Sequence, residues 1–192
     1  MHKTLKDLTR EDWNRLFPLE LVAHNPEWAG IFQKEKERIE ASVSPEFLLR
    51  IEHFGSTAIK GIRSKPYVDL IIEIPEALLF DERLIAEVEA LGYTHFKVPA
   101  REGIDAYMSF GKGYHPDGRK EQIFHIHMCP KNNYMWQQIT FRDFLNTHPE
   151  RARQYEELKL KLVAKYRNDR GAYVSGKSEF IRETLKLAHE PT

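Results

Sequence analysis

Two groups of side chains in this chain have types and spacings suited to chemistry. The first is Gly55-Ser56-Thr57 followed by Asp69. Glycine takes backbone angles closed to other residues, Ser56 and Thr57 put hydroxyls beside exposed amides, and such a turn can hold an anion such as phosphate. A carboxylate facing that cradle is the minimum for placing a divalent cation between protein and nucleotide, because hard cations take oxygens from one or two carboxylates plus the phosphates. The second group is His125 and His127, which alternate with Phe124, Ile126 and Met128 and therefore share one strand face with Cys129. With Asp69 across a sheet they make a two-His, one-carboxylate set of the kind used by Zn²⁺ or Fe²⁺. The alternative is a pair of histidines on a polar, solvated or phosphate-facing sheet surface. Cys129 reads as a small buried residue rather than a nucleophile.

Strands must position both groups. Phe47 to Phe54 leads into the turn, with Ile51 and His53 on one face. The strand after the turn begins at Tyr67, with Val68, Leu70, Ile72 and Ile74 on one side and Asp69, Ile71 and Glu73 on the other. Tyr93 to Val98, Ile104 to Phe110 and Ile123 to Met128 are further strands, the last two an antiparallel pair across a breaker-rich loop at 111–118. Leu19 to Ala23 is a short strand. Helices are expected from Thr9 and Asp12 to Phe17, after Asn25-Pro26 with a stripe through Trp28, Ile31, Phe32, Glu35 and Ile39, and over Leu78 to Leu91. From Tyr134 onward the pattern is helical: Tyr134 to Asn146, a long helix from Pro149 through Tyr166, a turn at 168–171, and a last helix capped by Ser175 or Ser178.

The string His53-Phe-Gly-Ser-Thr-Ala-Ile-Lys-Gly-Ile-Arg-Ser-Lys-Pro-Tyr-Val-Asp69 resembles the nucleotidyltransferase superfamily, and within it the GrpB family. The likeness extends to Leu21-Val-Ala-His-Asn-Pro-Glu-Trp28, Phe124-His-Ile-His127, Phe141-Arg-Asp-Phe-Leu145, Tyr155 and Leu158-Lys159, and so covers nearly the whole chain. It implies an α+β nucleotidyltransferase-like fold: a mixed sheet with helices on one face and the C-terminal helices closing a cleft on the other. It implies a single domain over 1–192, with a core at 19–130 and a helical extension at 131–192. Active members of the superfamily carry Asp-x-Asp on the strand, and this chain departs from that pattern with Ile71. Glu73 cannot substitute, because four strand residues carry it roughly 13 Å along from Asp69, whereas two-metal chemistry needs ions about 3.5–4 Å apart.

The resulting expectation is a nucleotide or phosphorylated ligand held by Gly55, Ser56 and Thr57, with Lys65, His53, Arg142 and Lys159 around it. Lys65 is held extended by Pro66, Lys60 and Arg63 are solvated, and Arg142, Lys159 and Lys177 match the family pattern in the tail. Asp69, His125 and His127 are the catalytic and metal candidates, for Mg²⁺ or Mn²⁺ with Zn²⁺ as the other choice. The reaction would move a nucleotidyl group to a small-molecule or protein acceptor. The alternatives are a binding module that has lost catalysis, favoured by Ile71, and a metal-dependent hydrolase built on Asp69, His125 and His127. Lys plus Arg and Asp plus Glu balance at 29 each, so no net positive field draws nucleic acid. One cysteine, no apolar leader in Met1 to Leu8 and no bilayer-length apolar run point to the cytoplasm rather than a membrane.

Overall fold

A computed structural model describes residues 5–190 of the chain; the first four residues of the leader reading lie outside them. The alternating apolar pattern of the strands produces a five-stranded mixed sheet. Its strands are β1 (Arg50–Phe54), β2 (Tyr67–Glu73), β3 (Thr94–Val98), β4 (Tyr107–Lys112) and β5 (Ile123–Cys129), in the spatial order β1-β2-β5-β4-β3. β1 runs antiparallel to β2, and β3, β4 and β5 form an antiparallel meander. Between β2 and β5 the pairing is parallel, which requires a long crossover; the chain from 74 to 122 supplies it.

One face carries Val68, Leu70, Ile72, Met108, Phe110, Phe124, Ile126 and Met128. Two helices cover it, α2 (Trp28–Ser42) through Trp28 and Ile39, and α3 (Glu82–Glu89) through Leu84 and Val88. Each fully buried aliphatic side chain there contributes about 1.5–3 kcal/mol. Glu35 lies within the same helical stripe and is buried because Tyr93 donates to it at 2.8 Å and Lys112 at 2.9 Å, with Arg38 at 3.3 Å. Burial pushes its carboxyl up, but those partners outweigh it and hold the group below its ordinary value.

The opposite face is covered only in part. Phe54, Ile71 and Cys129 pack there under Met135 and Ile139, at the start of α4 (Gln137–Thr147). The rest of the tail is α5 (Pro149–Lys165), α6 (Arg170–Ser175) and α7 (Ser178–His189); α5 and α7 pack on the loop after the Gly-Ser turn, while Tyr173 of α6 packs with Leu19 and Leu162. Ile59 and Ile62 of that loop are buried against Phe141, Leu145, Ala152 and Tyr155, with Phe180, Ile181 and Leu185 alongside. The tail therefore clamps the functional turn as well as covering sheet.

Several local expectations shift. Leu19 to Ala23 contributes one isolated bridge, Val22 to Ser64, rather than a strand. Pro45 starts a 3₁₀ turn, so β1 begins at Arg50 rather than Phe47. The strand expected at 104–110 forms at Tyr107–Lys112, after a bridge between Arg101 and Ile104 takes up its start. Asn25 makes an Asx turn to the Glu27 amide at 3.0 Å rather than capping α2. Asp81 caps α3, so the helix expected from Leu78 starts at Glu82. Asp169 caps α6, so the expected turn at 168–171 opens a helix, and α7 begins after Lys177 without a serine cap. The Thr9 and Asp12 capping box of α1 (Arg10–Leu16) is present as read. Among the described residues no helix is long and apolar enough to cross a membrane.

Candidate functional site

The turn folds back onto the strand it feeds. Phe54 pairs with Asp69, and Gly55 adopts φ = +72°, which brings the backbone against the carboxylate: a β-carbon on residue 55 would stand 2.3 Å from Asp69 Oδ2. Residues Ser56–Ala58 make one 3₁₀ turn. Thr57 is buried, and its hydroxyl donates to the Tyr67 carbonyl at 2.9 Å. That use of its proton makes it the acceptor from His53 Nε2 at 3.1 Å. His53 also stacks on Phe32, and burial pushes it down to about 4. The side chains of Thr57 and His53, expected to meet nucleotide, are thus committed to holding the turn. Ser56 shares a hydrogen bond with the Tyr155 phenol, which burial pushes up to about 12.

The parallel register sets Asp69 opposite His125. Their side chains, 23% and 26% exposed, meet at 3.0 Å between Oδ1 and Nδ1. Burial alone pushes the Asp69 carboxyl up; the hydrogen bond from His125, then the charges of His125, His127 and Lys65, hold it below its ordinary value. Ionised Asp69 accepts, so His125 donates from Nδ1. On the other nitrogen, Nε2, the Tyr114 hydroxyl sits at 2.6 Å. Burial raises the Tyr114 phenol, which keeps its proton and donates it to Nε2, since Nδ1 carries the imidazole hydrogen. The result is a line Asp69, His125, Tyr114 that fixes one tautomer of the imidazole.

His127 faces Ile71 rather than Asp69. Its ring lies 5.3 Å from those of Phe54 and Tyr107, its Nδ1 is buried without a partner, and burial pushes it down to about 4. Ile71 is wholly buried, so the place of a second carboxylate is apolar. The expected three-ligand set of Asp69, His125 and His127 is not assembled, and among the described residues no group of three His, Cys, Asp or Glu side chains is arranged to hold a metal ion. The physical reason is register: the two histidines share a face, but only one of them is level with the carboxylate. One oxygen of Asp69 is taken by His125 and the other lies against Gly55, so the residues do not fit a resident Mg²⁺, Mn²⁺ or Zn²⁺ site.

The burial of His127 has a consequence for acid stability. Its folded-state value lies below the ordinary 6.5, so below pH 6.5 the unfolded chain takes up a proton that the folded one refuses. Its stability contribution is complete above pH 6.5 and is lost as pH falls toward 4. Urea denaturation across this window should show a dependence steeper for the parent than for His127→Gln by up to about 1.4 kcal/mol per pH unit. Parallel profiles would show that the ring is solvated.

Positive charge gathers around Asp69 and Tyr67 from three elements. Lys65 lies over the Tyr67 ring at 4.8 Å, and Lys177 over Tyr173 at 4.8 Å. Both are half-buried and neither has an ion-paired carboxylate among the described residues. Burial, then the charges of Lys177 and Arg170 against that of Asp69, push Lys65 down to about 8. Burial likewise lowers Lys177, while the field of Asp69 opposes the shift. Arg170 hydrogen-bonds the Tyr67 phenol and the Phe17 carbonyl, leaving its Nε buried without a partner.

Lys159 and Arg142 are used differently from the expectation. Lys159 is 1% exposed, and its ammonium donates to the Arg63 carbonyl behind the turn, where burial and Lys177 push it down to about 7. Arg142 donates to Glu52 at 3.1 Å, to the His53 carbonyl and to Asp143 at 2.7 Å, stapling α4 to β1. Lys60 and Arg63 are exposed, as read. Arg170 and Tyr114 were not singled out from sequence. Each lies in a segment read as a turn or loop, and nothing in local spacing says that it reaches this site. A cleft of about 410 Å³ at the far ends of β2 and β5 is lined by Glu73, Glu76 and Asp105, away from this chemistry.

A family model described as "GrpB protein" matches residues 18–187. The glutamate-rich protein GrpB of Alkalihalophilus pseudofirmus is 35% identical over 167 residues, 86% of this chain and 92% of that one. UPF0157 protein YqkA of Bacillus subtilis is 34% identical over 168 residues; the match takes in 85% of this chain but 45% of that relative, less than half its length. The crystal structure of conserved protein GrpB from Enterococcus faecalis superposes with a TM-score of 0.71 at 24% identity, over 88% of this chain and 96% of the other, and shares the fold.

Proposed function

The chain belongs to the GrpB family, and from that premise we propose that the region between the Gly55 turn, Lys65 and the residues Arg170 and Lys177 binds the phosphates of a nucleotide or another phosphorylated ligand. One observation carries the reading: the ammonium groups of Lys65 and Lys177 both lie over the Tyr173 ring, at 5.8 and 4.8 Å, with Arg170 bonded to the Tyr67 phenol that Lys65 also covers, and both lysines lack an ion-pair partner among the described residues. Cations held out of water in one another's field are unfavourable unless an anion joins them. The amides of Ser56 and Thr57 in the 3₁₀ turn and the orphan Nε of Arg170 add donors for it.

The line through Asp69, His125 and Tyr114 favours a second reading, transfer of the bound nucleotidyl group. Nε2 of His125 holds a hydroxyl at 2.6 Å. An acceptor hydroxyl in the place of the Tyr114 phenol would lose its proton to His125 as it attacks the α-phosphorus of a bound nucleoside triphosphate, and the bond from that phosphorus to the bridging oxygen would break to release pyrophosphate. Titration calorimetry with ATP, GTP, CTP and UTP tests the binding reading. At least one should bind with a Kd on the order of micromolar, weakened tenfold or more in Lys177→Met. Absence of heat with all four, together with an unchanged melting temperature, would remove it.

A further inference from the structure

We propose that the phosphate ligand is bound without a divalent metal, with Lys65, Lys177 and Arg170 supplying the positive charge, an inference that rests on that region being a phosphate site. A site that recruits a metal to phosphate presents surplus negative charge, because the ion must leave its water for carboxylate oxygens. Here the balance is reversed. The ammonium groups of Lys65 and Lys177 both lie over the Tyr173 ring, at 5.8 and 4.8 Å, in the field of Asp69, Arg170 bonds the Tyr67 phenol beneath Lys65, and the position two residues along from Asp69 is the buried Ile71.

Asp69 is also not disposed as a free ligand. His125 takes Oδ1 at 3.0 Å, and the Gly55 backbone stands against Oδ2. Its role is to orient His125 and to keep neighbouring ammonium groups charged. Lys65 and Lys177 share the Tyr173 ring, and a divalent cation placed beside them would be repelled by the groups that attract phosphate. A free triphosphate suits this surplus better than a magnesium-chelated one, whose charge is partly cancelled. Phosphorylated ligands with two or more closely spaced negative groups are the matching class.

Calorimetry with ATP and with inorganic tripolyphosphate, each in excess chelator and again in excess Mg²⁺, decides the matter. Affinity in chelator should equal or exceed that with Mg²⁺. Lys65→Met and Lys177→Met should each weaken binding roughly tenfold or more. Binding that appears only with Mg²⁺ would overturn the metal-free inference while leaving the phosphate reading intact. No binding in either buffer would overturn both. The parent protein alone supplies the comparison between buffers, so the inference does not depend on the folding of any variant.

Discussion

Ile71→Asp, the substitution that would restore the Asp-x-Asp spacing, is expected to destabilise the protein by about 4–5 kcal/mol rather than to create a second metal ligand. Ile71 is 0% exposed and packs with Phe54, Cys129, Met135 and Ile139 between the sheet and the entry to α4. A carboxylate there loses the aliphatic packing and must either ionise in an apolar layer or stay protonated without a designed partner. His127, directly across the parallel register, already resists protonation because of its burial, so its help as a counter-ion is costly. A fall in melting temperature of about 10–15 °C should accompany the loss. A variant as stable as the parent would mean that the second face is open to solvent and that the metal question must be reopened.

Gly55→Ala should cost about 3–5 kcal/mol and abolish phosphate binding, and two independent effects combine to make it so. At φ = +72° an L-residue is strained by about 1–2 kcal/mol. The new methyl group would also lie 2.3 Å from Asp69 Oδ2 and cannot stay there. If Asp69 yields, its bond to His125 breaks, a charge-assisted contact of about 1.5–3 kcal/mol. If the turn yields, the amides of Ser56 and Thr57 leave the proposed phosphate site. Gly61 has a similar φ of +75° but nothing within 4 Å of the corresponding position, so Gly61→Ala should suffer the strain alone. Chemical denaturation of the two variants side by side separates strain from collision; equal losses would show that the contact with Asp69 is slack.

Most of the sheet could be read directly because its strands alternate strictly. The faces assigned to Val68, Leu70 and Ile72 against Asp69 and Ile71 are the faces seen, and so is the antiparallel pairing of β4 with β5. Boundaries were less legible. Pro45, Asp81 and Asp169 each start a turn or helix through a local hydrogen bond or a fixed angle that competes with the longer-range pattern. The likeness of the central string to the GrpB family carried the α+β fold and pointed to Gly55, Ser56 and Asp69.

What the amino-acid order determined by itself was the local chemistry: a glycine where the turn needs a positive φ, hydroxyls after it, a carboxylate on the next strand, histidines on one face of another, and isoleucine in place of a second carboxylate. Only the tertiary structure decided who meets whom. The parallel register of β2 on β5 gave Asp69 to His125 and left His127 against Ile71, a difference of two residues that periodicity cannot resolve because both histidines point the same way. Packing of the tail brought Lys177 into the field of Asp69 and Arg170 to the Tyr67 phenol, and it turned Lys159 and Arg142 into supports for the backbone. Side-chain type is written in the chain. The charge balance of a site is a sum over distant segments, and only folding performs it.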